Sequence, residues 1–136
     1  MTEQKEVTGE ELIGDLVVSV LSVNLWTIEK TFKIYDGLRE EGLFDFDAVA
    51  ALPETEVFAR LERAGYTRGD FMVGMLAGRL RSVALALSGQ GQEKLRQLVT
   101  AKDRKGVEAL LQPIKGIGPS VIANYLALRG IGAEQG

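Results

Sequence analysis

The chain of 136 residues contains no cysteine and no histidine, and only one tryptophan and three prolines. Without cysteine there is no disulfide framework, thiolate zinc site, iron–sulfur cluster or cysteine nucleophile. Without histidine the commonest general base and metal ligand is missing too. No metal site is expected, and any catalysis falls to carboxylates, Lys, Tyr or Ser. Long apolar runs are also lacking. None is long enough to cross a bilayer, and the polar, acidic stretch Met1 to Thr8 is unlike a secretory signal. No membrane partner is expected, and the reading is cytoplasmic. What is present, 46% hydrophobic and 26% charged residues, is an ordinary globular composition of single-domain size.

A surplus of positive charge is the next absence, because the formal net charge is −3. Phosphate neutralisation supplies most non-specific affinity for nucleic acids, so the sum argues against a strong binder. The distribution of charge matters more than its sum. Residues 1–90 carry nine Lys/Arg against fifteen Asp/Glu, a balance of −6, whereas residues 91–136 carry seven against four, a balance of +3. Charges farther apart than a Debye length of about 8 Å are largely screened from one another. The C-terminal third therefore has its own, positive, electrostatics.

The apolar spacing is helical almost throughout, without an alternating strand, and predicts a compact all-α array of about seven or eight helices. Thr8-Gly-Glu-Glu11 reads as a capping box for a first helix through Leu21. Thr27 caps a second, from Ile28 to Glu41, stopped by Gly42. Asp45 caps a short helix ending near Leu52, and Pro53 opens another that closes at Gly65. The longest runs from Arg68 to Leu87 and is expected to bury Phe71, Met72, Met75, Leu76, Leu80, Val83 and Leu87. Two short helices follow, about 92–100 and 103–111. A flexible N-terminus (1–8) and a loose tail (131–136) bracket the domain (9–130).

The stretch Leu111-Gln-Pro-Ile-Lys-Gly-Ile-Gly-Pro-Ser-Val-Ile-Ala-Asn-Tyr-Leu126 carries the most specific signal. Gly116 and Gly118 lack a Cβ, so a bulky anion can approach the backbone closely. Pro119 suits the first position of the next helix, and the free N–H groups beyond it make an oxyanion site at the positive helix end. Lys115 adds a charge and Ser120 a hydroxyl. A tight turn between packed helices also uses such glycines. Here the flanking Leu110, Leu111, Ile114, Ile117, Val121, Ile122 and Leu126 match the packing of a paired-helix hairpin. The segment resembles the helix-hairpin-helix motif, which grips one DNA strand through its phosphates.

The order of features over residues 9–130 resembles the helical core of the helix-hairpin-helix DNA glycosylases, the superfamily that includes endonuclease III. Leu21-Ser-Val-Asn-Leu25 stands where that family has a Leu-Ser-x-Gln loop whose amide reaches into the duplex. Ala50-Ala-Leu52 with Pro53 resembles its short third helix and the start of the fourth. Ala64-Gly-Tyr-Thr-Arg68 resembles its Gly-aromatic-x-Asn/Arg turn. The resemblance implies DNA contacts at Lys115, Gly116, Ile117, Gly118, Pro119, Ser120, Asn24 and Arg68. It implies no cofactor beyond a monovalent cation that such a hairpin can hold. The departures are chemical. Bifunctional members place a catalytic Lys where this chain has Ser120, and a hydroxyl forms no Schiff base. The family's catalytic Asp falls further along, past Gly136. Its cluster cysteines are missing, and its Lys-Ala pair corresponds to Asp70-Phe71.

Three functions follow as expectations, with the catalytic residues unassigned. The first is a DNA-binding module on the base-excision-repair glycosylase scaffold without the standard glycosylase/lyase chemistry. The second is an active, diverged glycosylase with a relocated acid, for which Asp15, Asp70 and Glu134 are candidates. The third is a helical protein-interaction module or homodimer whose hairpin only packs. Trp26 reads as a core residue before it reads as a base-stacking one. Glu10 and Glu11 read as a solvated helix face.

Overall fold

The structure is a computed structural model that describes residues 9–131. Among these residues it is all-helical, with nine helices: α1 (Gly9–Leu21), α2 (Ile28–Lys33), α3 (Tyr35–Glu40), α4 (Phe46–Ala50), α5 (Glu54–Ala64), α6 (Asp70–Leu87), α7 (Gln90–Thr100), α8 (Arg104–Leu111) and α9 (Pro119–Leu128). The expected capping box at Thr8, the N-terminal segment 1–8 and residues 132–136 lie outside the described residues.

The core forms around α1. Leu12, Ile13, Leu16, Val17, Val18, Val20 and Leu21 are all buried, so this helix has neighbours around most of its circumference, and Glu11 and Asp15 mark its one polar side. It packs against α9, α6, α2, α7 and α3. Two buried tyrosines fasten other segments to its backbone. The Tyr66 hydroxyl donates to the Leu21 carbonyl at 2.7 Å, and the Tyr125 hydroxyl donates to the Leu12 carbonyl at 3.1 Å. Burial raises both phenols above their ordinary range, which leaves them neutral donors.

Several sequence-based boundaries coincide with side-chain caps. Thr27, Asp45 and Asp103 accept from the N–H groups of Lys30, Ala48 and Gly106. Gly65, at φ +107°, ends α5. The helix expected from Ile28 to Glu41 is instead two. Ile34 leaves helical geometry at φ −108°, ψ 17°, and the break brings α3 close to the end of α5. A Cβ on Gly37 would stand 2.7 Å from the Ala64 carbonyl oxygen, so the two backbones touch there.

Two expectations about burial are corrected. Phe71, assigned to the core, is 81% exposed, because the buried stripe of Val73, Leu76, Leu80, Ala84 and Leu87 runs along the opposite face of α6. Met72 and Met75 are half-buried. Ile131, assigned to a loose tail, is buried and belongs to the core cluster. The end of α9 explains it. Gly130 adopts φ +73°, its N–H donates to Ala127 and that of Ile131 to Leu126, a Schellman closure that turns the apolar residue back onto the helix. No single helix among the described residues is long and apolar enough to cross a membrane.

Candidate nucleic-acid interface

Helix α8 ends at Leu111, and the chain reaches α9 through tight turns in which Ile114 donates to Leu111 and Ile117 to Ile114. Ile117, Val121, Ile122 and Leu126 are buried and anchor the connection from beneath. The two glycines serve different ends. Gly116 is left-handed, at φ +97°, and a Cβ on it would meet the Arg79 side chain of α6 at 3.1 Å. Gly118 is ordinary extended backbone, φ −103°, ψ −177°, and a Cβ on it would meet nothing within 4 Å. Gly118 is the N-cap of α9 and Pro119 its first residue. Among the described residues the N–H groups of Gly118, Ser120 and Val121 have no intrachain acceptor, as the first turn of a helix dictates.

Three clefts border this turn; one, of about 490 Å³, faces α8 at Arg104, Glu108 and Gln112, and the other two hold the nearby Lys115 and Arg79. Of these last two, one, of about 660 Å³, lies between α6 and the turn and is bordered by Glu54, Met75, Arg79, Ser82, Lys115 and Gly116. The other, of about 580 Å³, is bordered by Asn24, Arg79, Gly116, Pro119, Ser120 and Asn124. The second cleft brings together segments nearly a hundred positions apart in sequence, the turn after α1 and the start of α9.

The turn after α1 holds strained backbone. Asn24 and Leu25 have φ of +54° and +74°. Asn tolerates this region, whereas for Leu it costs about 1–2 kcal/mol. Arg68 holds the turn in place, its guanidinium donating to the carbonyls of Val23 at 2.9 Å and Asn24 at 2.6 Å. The same guanidinium lies 5.3 Å from the Trp26 ring centre and 5.7 Å from that of Tyr66. Leu25, at the tip, is 98% exposed. Trp26 is half-buried and packed edge-on against Tyr66.

Of the expected contact residues, Lys115, Gly116, Ile117, Gly118, Pro119, Ser120 and Asn24 all border one or both clefts. Arg68 borders neither, and its donors face the 23–24 carbonyls. Arg79 and Asn124 border the clefts without having been singled out in the sequence. Arg79 is one of two cations, with Arg81, on a mostly apolar helix, a weak signal, and Asn124 carries none. No Asp or Glu among the described residues borders the Ser120 cleft; Glu54 borders the one at Lys115. Asp15 lies elsewhere, in an ion pair with Arg129 at 2.6 Å. Burial pushes its carboxyl above the usual range while Arg129 pulls it back. Asp70 is exposed at the start of α6, and Glu134 lies outside the described residues.

Compared with protein families, with curated proteins and with solved structures, the chain matches none.

Proposed function

We propose that the chain is a DNA-binding module that holds backbone phosphates at the Lys115–Ser120 turn, in the manner of the helix-hairpin-helix glycosylases it resembles and without their standard chemistry. One observation carries the reading. Unpartnered N–H groups at Gly118 and Ser120 open onto clefts that also hold Lys115 and Arg79, neither of which has an ion-pair partner among the described residues. Backbone donors, a positive helix end and two cations around open space suit an anion. Among the described residues the cleft at Ser120 offers neither an amine for a Schiff base nor a carboxylate to stabilise a sugar cation, which favours holding over excision. With a net charge of −3, affinity is modest, with Kd of about 10⁻⁶ to 10⁻⁴ M at physiological salt.

The test is anisotropy of a labelled duplex titrated with the full chain at about 50 and about 200 mM salt. Binding that weakens with salt is expected. Lys115→Ala should weaken it nearly equally for every sequence and lower the salt slope by about one. Salt-independent binding, or none, would overturn the proposal. A second reading, a surface for a protein partner or a second copy, draws on the exposure of Leu25 at 98% and Phe71 at 81%. Concentration-dependent dimerisation in the absence of DNA binding would favour it.

A further inference from the structure

We infer that Arg79 is the principal phosphate-binding cation of the hairpin site, and that the phosphate it takes lies on the Asn24–Ser120 side of the turn. The inference rests on the reading of the hairpin as an anion site and names a residue of α6, outside the hairpin itself. Every other arginine of the chain donates a hydrogen bond to this chain: to carboxylates in the cases of Arg39, Arg60, Arg63, Arg96, Arg104 and Arg129, to carbonyls in those of Arg68 and Arg81. Arg79 makes none among the described residues. Nor is it free in solvent. It is half-buried, and its Cβ and Cγ lie against Gly116, the position that has no side chain.

A guanidinium presents five donors in a planar fork and cannot lose its charge, so leaving it half-buried without an acceptor is costly. Its natural acceptor is a pair of oxygens on one anion, as in phosphate. Arg79 borders two of the clefts, and the surroundings choose between them. On one side stands Glu54, whose carboxylate repels an anion. On the other stand Asn24 and Ser120, with no carboxylate among the described residues. The turn amides of Gly118 and Ser120 reach this second cleft as well. The ligand class is therefore a phosphate group, supplied either by a nucleic-acid backbone or by a small phosphorylated molecule.

The experiment compares the parent with Arg79→Met, Arg79→Lys and, as a control, Arg39→Met. Methionine keeps an unbranched stem against Gly116, and an unchanged thermal midpoint verifies that the fold persists. In the duplex titration Arg79→Met should lose about ten-fold in affinity at low salt and lower the salt slope by about 0.9. Arg79→Lys should recover most of the slope, and Arg39→Met should match the parent. Parental affinity and slope in Arg79→Met would overturn the inference while leaving DNA binding at the hairpin standing. If the parent binds no DNA, the proposed function falls, and a titration with inorganic pyrophosphate followed by amide NMR decides separately. Shifts at Gly118 and Ser120 that vanish in Arg79→Met would uphold the anion site; no shifts in the parent would overturn it.

Discussion

Replacing each hairpin glycine by alanine should separate the demands of the fold from those of the ligand. At Gly118 the backbone is extended, and a Cβ projects into open space. A methyl group there strains nothing in the folded state and restricts the unfolded chain, so Gly118→Ala should gain about 0.4–1 kcal/mol of stability. For a chain of this length that is a rise of roughly 1–4 °C in Tm. At Gly116 the backbone is left-handed, and the new Cβ would lie 3.1 Å from the Cβ and Cγ of Arg79 and 3.4 Å from its Cα. The left-handed conformation costs about 1–2 kcal/mol and the crowding about 1–3, a loss of roughly 2–5 kcal/mol. Binding should order differently. The Gly118 methyl occupies the space through which a phosphate reaches the amides, so this variant should lose about ten-fold or more in DNA affinity, a change of about 1.4 kcal/mol, while melting at or above the parent's temperature. Thermal and urea denaturation followed by circular dichroism, alongside the anisotropy titration, read both quantities. A Gly118→Ala variant that melts as low as Gly116→Ala would mean that both glycines serve packing. A stable Gly118→Ala variant that binds DNA as the parent does would mean that no ligand approaches the backbone there.

Three further outcomes are expected. Burial raises the Asp15 carboxyl, so its contribution to stability is complete below its unfolded pKa and is lost as pH rises through the folded one; Arg129 limits that loss. Arg129→Met should therefore cost little at about pH 3 and on the order of 3 kcal/mol at about pH 7, and a pH-independent deficit in urea titrations would refute the pairing. Leu25→Gly removes a left-handed Leu that packs on nothing, so relief of about 1–2 kcal/mol against glycine's own cost of about 0.5–1 should leave stability equal or up to about 1 kcal/mol higher; a clear loss would contradict the turn's geometry. Borohydride trapping on abasic DNA should give no covalent adduct, and Ser120→Lys alone should release little or no base because no carboxylate among the described residues borders that cleft. A robust adduct from the unmodified protein would assign the chemistry to another amine.

The helices were legible where local chemistry decides them. Thr27, Asp45, Asp103 and Gly65 mark ends that depend on a side-chain cap or a left-handed glycine, and the structure uses all four. The break at Ile34 was not legible, because its cause is distant: the contact of Gly37 with the Ala64 backbone. Phe71 misled because it was grouped with the core by its apolar character, although it stands about half a turn round α6 from the buried Val73, Leu76, Leu80 and Leu87. Ile131 misled because a Gly-Ile pair after a helix reads equally as the start of a tail and as a Schellman closure. The hairpin residues could be nominated from Gly-x-Gly-Pro alone. Arg79 could not, since its place beneath Gly116 is a tertiary fact.

That tertiary fact gives the site its sign. A hairpin on a chain of net charge −3 is a poor prospect for binding phosphates if charge is summed over the molecule. Part of that negative charge is held in ion pairs. Glu41 and Glu56 are bound to Arg60 and Arg63, Glu93 to Arg96, Glu108 to Arg104 and Asp15 to Arg129. Each such pair is close to neutral beyond a Debye length of about 8 Å. The cations left without a counter-charge at the hairpin are Lys115 and Arg79, set beside a helix end whose amides also lack partners. Glu54 borders the same cleft as these two cations, whereas the Ser120 side holds Arg79 with no carboxylate among the described residues. Affinity should consequently be governed by a few phosphates and fall less steeply with salt than for a uniformly basic surface. A slope corresponding to many phosphates would point to a different and larger face.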